Sequence, residues 1–247
     1  MRIDLNCDVG EGIGQDAELM PLITSANVAC GIHAGDVDTM RDTVNLAQLH
    51  GVAIGAHPSL NDRENFGRLE MRVSPREVHL YVLTQIKLLQ IIAQQCGARL
   101  SHVKPHGALY NMAARDVILA DAVANAVFEV DPLLMLFGLS GSCLIESGRA
   151  RGLRVASEVF ADRTYQPSGA LMVRSEPNAL IKDGDAAAAQ ALRMAREGKV
   201  RTAGGTNLSI KADTICLHGD NPESVVVAQK VSATLKAEGF WLKAVSL

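Results

Sequence analysis

The chain has 247 residues, 24 basic against 27 acidic side chains for a formal charge of −3, and only 4% aromatic residues. Without a basic field or a stacking platform a nucleic-acid binder is excluded, while the length suits one large α/β barrel with an ample core. Cys7, Cys30, Cys96, Cys143 and Cys216 are scattered without a CxxC pair, as free thiols in a reducing compartment are, and MRIDLNCDVGEG lacks the apolar centre of a signal peptide, so a soluble cytoplasmic protein is expected.

Short β-type runs alternate with helical ones from end to end, the pattern of parallel βα units. Arg2 to Cys7 is the first strand and leads into Asp8 and Glu11. Ala26 to Cys30 is the second and runs into His33 and Asp36, the latter placed to cap a helix toward His50. Val52 to Ala56 is the third and ends in His57-Pro58-Ser59, followed by Arg68 in a glycine-aromatic turn. Ser74-Pro75-Arg76-Glu77 has the form of a capping box. The helix it opens carries Val78, Val82, Gln85/Ile86, Leu89 and Ala93 at amphipathic spacing, with Lys87 and the glutamines outward, which is not a membrane pattern.

Ser101 to Lys104 is the fourth strand, ending in VKPHGALYN; Leu133 to Phe137 is the fifth, ending in Gly138-Leu139-Ser140-Gly141-Ser142. Leu153 to Val159 is the sixth and carries Glu158 at its end. The stretch from Phe160 to Pro177, with Asp162, Arg163, Tyr165 and Arg174, is long for a βα connection and reads as a lid or binding loop. Thr214 to Leu217 is the seventh strand, followed by His218-Gly219-Asp220. Asn221-Pro222-Glu223 opens the last helix, and Phe240 to Val245 adds an edge or packs below the barrel. Gly51, Gly97, Gly198 and Gly239 stand where helices need a left-handed residue. No linker divides the chain, so residues 1–247 form a single domain, an irregular (β/α) barrel of about seven parallel strands.

In such a barrel all strand ends share one face, and that face holds the active site. His33, His57, His106 and His218 therefore converge. Taken singly, Asp8 and Glu11 between Gly10 and Gly12 read as turn chemistry, a lone histidine as a structural one, and Arg68, Arg163 and Arg174 as surface cations. Four histidines at matching strand ends favour a site. His50, His79 and His102 fall outside that pattern and are structural. Arg163 and Arg174 are suited to a carboxylate or phosphate. Ser140 to Ser142 and Gly204-Gly205-Thr206-Asn207 offer backbone donors to an anion, although neither is a Walker loop. Pro105 turns the chain so that Lys104 enters the barrel mouth and His106 leaves the strand alternation; Gly107 lets the backbone approach the substrate, and Tyr110 and Asn111 reach the site from its rim. If Lys104 serves the reaction alone, Lys104→Met leaves stability within about 1 kcal/mol. The alternative is a structural ion pair with Asp8 or Glu158.

IDLNCDVGEG, SANVACGIHAGD, GVAIGAHPS, FGR, HVKPHGALYN, EVFADRTYQPSG and CLHGD, in this order over almost the whole chain, resemble the LamB/YcsF family. Val173 before Arg174 and Leu83 before Gln85 are minor departures that touch packing more than chemistry. The resemblance implies a barrel related to the carbohydrate deacetylase and glycoside hydrolase barrels, and ATP-dependent ring opening of 5-oxo-L-proline to L-glutamate with two partner subunits, B and C. ATP with magnesium is then a cofactor. That chemistry needs a base, an acid for the lactam nitrogen and a cation for the oxyanion, and Asp8, His57, Lys104 and His106 are the catalytic candidates: Asp8 or a histidine as base, His106 or His57 as acid, Lys104 as cation. Glu11, His33, Asp36, Arg68, Tyr110, Glu158, Arg163, Arg174 and His218 are the substrate-binding ones. Relation to the deacetylases further implies a divalent ion such as zinc on Asp8, His57 and His106. Two other readings stay open, a stand-alone metal-dependent amide hydrolase acting on a small sugar or amino-acid derivative and a non-catalytic substrate-binding subunit; homo-oligomerisation is also open.

Overall fold

The computed structural model describes residues 1–220 and 222–246, so Asn221, expected to open the last helix, lies outside the described residues. Seven parallel strands close on themselves: β1 (Arg2–Val9), β2 (Ser25–Ala29), β3 (Ala53–His57), β4 (Leu100–Val103), β5 (Met135–Leu139), β6 (Arg154–Phe160) and, after a hairpin, β9 (Thr214–Leu217). The ring is sealed where β9 pairs β1, from Asp4 opposite Thr214 to Cys7 opposite Leu217. Each expected strand is present, with limits displaced by no more than two residues at either end. The hairpin β7 (Lys199–Arg201) and β8 (Asn207–Ser209) is an addition the sequence pattern did not single out. Its turn uses the Gly204-Gly205 pair, where the Gly205 N–H donates to Thr202 at 2.8 Å, so this run is a hairpin turn and not an anion cradle at the strand ends.

The helices are α1 (Asp16–Leu19), α2 (Val37–Leu49), α3 (Pro75–Gln95), α4 (Gly107–Arg115), α5 (Val117–Val130), α6 (Cys143–Arg151), α7 (Gly184–Glu197) and α8 (Ser224–Ala237). Four have side-chain N-caps: Asp36, Ser74 with its full capping box, Asp116 and Asp183. Gly51, Gly97, Gly198 and Gly239 all take positive φ, as helix ends require. Gln85, on the amphipathic stripe beside Ile86, is buried on α3 where the other glutamines were expected outward; its side chain accepts from the Ser59 backbone N–H at 2.9 Å and donates to the Ser59 carbonyl at 2.8 Å. This ties the helix to the loop after β3. Among the described residues no helix is long and apolar enough to cross a membrane.

Central parallel strands are usually apolar on both faces, yet β1 alternates. Ile3, Leu5, Cys7 and Val9 join the apolar core, whereas Asp4, Asn6 and Asp8 are buried in a polar lumen. The reason is mutual satisfaction. Asp4 accepts from Thr24 and Ser25, Asn6 donates to Thr214 at 2.7 Å, and Asn27 donates to both Asn6 and Asp8 at 2.8 Å. His102 lies inside β4 rather than before it, 2.9 Å from Asn27 and stacked on Phe137 at 4.3 Å, a structural role as expected. Phe137 packs with Met135 and Ala156 against Val245 below this layer. The short strand β10 (Trp241–Leu242) pairs only Arg2 and Ile3. The C-terminal run thus both extends β1 and closes the barrel bottom.

Candidate active site

At the carboxyl ends of the strands a cavity of about 960 Å³ opens, lined among others by Asp8, His57, Lys104, His106, Arg163 and His218. Strand ends place Asp8, His57 and His218 there, while Pro105 takes His106 out of β4 to the N-cap position of α4 with extended backbone. Gly107 has φ +52, and a Cβ on it would fall 2.5 Å from the Gly67 carbonyl, to which Ala108 also donates. The glycine therefore admits the Phe66-Gly67-Arg68 loop against the start of α4, and it also lines the cavity. Phe66 in turn presents its carbonyl to His106.

Three histidines and a glutamate crowd together. One ligand atom each from Glu11, His33, His57 and His106 lies within 4.8 Å of all the others. His57 Nδ1 is 2.7 Å from the Lys104 carbonyl and His106 Nε2 is 2.9 Å from the Phe66 carbonyl. A carbonyl only accepts, so those nitrogens carry the protons. In neutral rings the inner atoms, His57 Nε2 and His106 Nδ1, are then lone pairs facing each other at 2.9 Å. Such a contact is repulsive unless a proton or a cation lies between them. Burial, helped by His33 and His57, pushes the His106 pKa well below the usual imidazole value, which disfavours a proton on His106. Burial likewise lowers His33 to about 3. Glu11 completes the group, 3.1 Å from His33 Nε2 and 3.4 Å from His106 Nδ1. Tetrahedral zinc with imidazole bonds of about 2.0–2.1 Å has ligand-to-ligand edges of roughly 3.3 Å; the His57–His106, His33–Glu11, His106–Glu11 and His57–Glu11 separations are 2.9, 3.1, 3.4 and 4.0 Å, and all four ligand atoms lie within 4.8 Å of one another. The donor types suit a divalent ion, with the stacked, nearly parallel His33 and His106 rings having to rotate before both lone pairs point at one centre. Asp8, expected among the ligands, stands beside this group with Oδ2 3.2 Å from His57 Nε2.

Asp8 belongs more closely to a second cluster. Lys104 is 2% exposed, and its Nζ reaches Asp8 at 2.8 Å, Glu158 at 3.0 Å, Cys216 Sγ at 3.0 Å and Asn6 at 3.3 Å. Burial opposes its charge, but Asp8 and Glu158 outweigh burial and hold its pKa well above the ordinary lysine value. For Asp8 burial is overcome by His57 and Lys104, which keep it well below the carboxylate range. Lys104 thus makes the ion pair posed as the structural alternative, and with both acids at once, so its replacement costs stability instead of leaving it unchanged. Burial, then Glu158, push the Tyr110 phenol well up. Tyr110 lines the cavity and is itself buried, edge-on to Phe160.

On the opposite side His218 Nδ1 lies 2.9 Å from Asp162, which also accepts from the His218 backbone N–H at 3.0 Å. His218 is held below the usual imidazole pKa by burial, and Asp162 lies at about 2 because His218 outweighs burial. Among the described residues nothing bonds His218 Nε2. Arg68 and Arg174 converge on Asp220, the latter at 2.9 Å. Arg163 is different: it is 4% exposed, lines the cavity, donates only to the Met172 carbonyl, and its Nε has no partner. No carboxylate of the described residues lies within ion-pair distance of it. Burial, then Arg174, lower its pKa to about 10.

Asp36 does not join the site. It is exposed and caps α2, accepting from the Thr39 N–H at 2.8 Å, because the chain turns away after Gly35. Asn27, Cys216 and Asp220 are the participants that sequence reasoning did not assign. Asn27 and Cys216 sit in apolar runs where one polar or thiol side chain carries no distinctive signal. Asp220 was visible in the terminal HGD.

The sequence model of the LamB/YcsF family matches residues 3–246. The chain belongs to the LamB/YcsF family. Within it, the A subunit of 5-oxoprolinase from Geobacillus kaustophilus (strain HTA426) is 54% identical over 246 residues, covering 98% of this chain and 96% of that protein. The crystal structure of the lactam utilization protein from Thermus thermophilus superposes with a TM-score of 0.92 at 45% identity, covering 99% of this chain and all of that one. Peptidoglycan deacetylase PdaC from Bacillus subtilis, at 15% identity, matches with a TM-score of 0.52 over 99% of this chain and 88% of its own. The LamB/YcsF barrel thus shares its fold with deacetylases.

Proposed function

We propose that this chain is the barrel subunit of an ATP-dependent 5-oxoprolinase, adding water across the lactam C–N bond of 5-oxo-L-proline to give L-glutamate while ATP goes to ADP and phosphate. The observation that carries the reading is the 54% identity over nearly its full length to the A subunit of a 5-oxoprolinase. The geometry supplies a chemistry for it. Arg163, buried and without a carboxylate, takes the substrate carboxylate as a two-point partner. His218, oriented by Asp162 and free at Nε2, accepts the proton of the attacking water. Lys104 turns to the developing oxyanion by exchanging the Cys216 thiol, the weakest acceptor around it. A divalent ion held by Glu11, His33, His57 and His106 would polarise the amide carbonyl or acidify a water. Histidines so engaged cannot also pass protons, which leaves that task to His218. ATP, its magnesium and two partner subunits, B and C, belong to the same reading, as does a cytoplasmic setting.

The test is oxoproline-dependent formation of ADP and glutamate by the three subunits mixed, with each omitted in turn. Full activity of B and C without this chain would sink the idea. A second reading, a stand-alone metal-dependent amide hydrolase, is favoured by the three-histidine cluster. It requires turnover of a small amide by zinc-loaded protein with neither ATP nor partners, and no such turnover in His57→Ala.

A further inference from the structure

The cavity is large for one five-membered lactam, lying near the top of the roughly 300–1,000 Å³ range that accommodates much bigger ligands. Its far wall is built by Leu139, Ser140, Gly141 and Ser142, the turn between β5 and α6. Three features meet there. Backbone N–H groups of Cys143 and Leu144, the first two positions of the nine-residue α6, and of Gly141 have no acceptor among the described residues. Ser142 occupies the N-cap position but its side chain caps nothing; it is 7% exposed, and its Oγ is buried without a partner. Gly141 has φ +77, and a Cβ placed on it would meet nothing within 4 Å, so open space adjoins these donors. An unsatisfied buried hydroxyl beside free amides at a helix N-terminus is the arrangement that receives an anion. The acids do not preclude it. Glu146 in the first turn of α6 is exposed in an adjoining groove that shares Ser140 and Gly141 with the cavity and also holds Arg149 and Lys211, and Asp8 is neutralised by Lys104.

We propose that Gly141, Ser142, Cys143 and Leu144 form a phosphoryl-binding subsite on the wall of the reaction cavity. The proposal rests on the 5-oxoprolinase reading only for the origin of the phosphoryl group, which is either the end of a nucleotide or a phosphate not attached to one, including phosphate carried by the activated substrate. The subsite leaves Arg163 to the carboxylate, so one cavity holds both ends of an extended anionic ligand. That division accounts for its size.

The experiment titrates the full chain, in chelator, with inorganic phosphate, ADP and 5-oxoproline by calorimetry, and follows amide shifts in ¹⁵N-labelled protein with phosphate. Ser142→Asp sets a carboxylate in the subsite, and Ser142→Asn is its uncharged isostere. Phosphate should move the Gly141, Cys143 and Leu144 amides most. Ser142→Asp should weaken phosphate binding by about tenfold or more, roughly 1.4 kcal/mol, while Ser142→Asn stays within about threefold. ADP binding at least about tenfold tighter than phosphate assigns a nucleotide source, and equal binding assigns the non-nucleotide one. Shifts elsewhere, unchanged affinity in Ser142→Asp, or no binding of either phosphate probe at millimolar concentration overturns the proposal. Absence of 5-oxoproline binding with phosphate binding intact would instead defeat the substrate assignment and leave the subsite standing. Should Ser142→Asp fail to fold, the amide shifts of the unmodified chain decide.

Discussion

Replacing Lys104 by Met keeps its length and removes one buried charge from between two others. The ammonium lies 2.8 Å from Asp8 and 3.0 Å from Glu158, and Glu158 is 0% exposed. At an effective dielectric of about 20 each contact contributes roughly 6 kcal/mol of attraction, most of it offset by the several kcal/mol needed to desolvate each ion. The net effect of the pair is therefore small, but removing one partner strands the others. The expected loss is about 3–5 kcal/mol, a large share of the 5–15 kcal/mol of a typical domain. Adding Glu158→Gln to the single variant should recover about 1–2 kcal/mol, because one stranded charge disappears. Urea unfolding at pH 7, followed by circular dichroism on the parent, both single variants and the double variant, measures the cycle. A loss under about 1 kcal/mol for Lys104→Met, or additivity within about 0.5 kcal/mol, would refute the account. Turnover in the three-subunit assay should fall at least about a hundredfold at a temperature where Lys104→Met is still folded.

On the 5-oxoprolinase reading, in which Arg163 takes the substrate carboxylate, Arg163→Gln should raise the KM for oxoproline by about tenfold or more, with kcat affected less; the thermal midpoint should hold or rise because an uncompensated buried charge is gone, and an unchanged KM would remove Arg163 from the site. Asp162, at about 2 in the folded chain against about 3.9 unfolded, contributes stability that is present above pH 4 and lost as pH falls toward 2. Its value is on the order of 2 kcal/mol. Urea midpoints of the parent and Asp162→Asn should accordingly differ at pH 6 and draw together toward pH 2.5; a gap that stays constant would contradict this. Gly55→Ala places a Cβ 2.1 Å from His102 Nε2, on a ring fixed by Phe137 and Asn27, and should cost about 3 kcal/mol or more. A midpoint within about 2 °C of the parent would show that the barrel layer yields.

The alternation of β-type and helical runs, with caps at Asp36 and Ser74 and left-handed glycines at helix ends, is local information, and it determined seven strands and a barrel by itself. Because parallel strands all point one way, polar residues after the strands also had to share a face, so His33, His57, His106 and His218 were legible as a group. Their partition was not. Whether Asp8 or Glu11 completes the three-histidine group depends on how far the loop after β1 folds back over the mouth, and Lys104 fills two acids because β1, β4 and β6 face one another across the lumen. Asp36 left the site because the chain turned after Gly35, and Arg163 became an unpaired buried cation only when its loop folded over the cavity. Those are distances between residues far apart in the chain, and sequence spacing carries no measure of them. Closure of the barrel sets them, since the register of each strand against its neighbours decides which side chains enter the lumen at the same height.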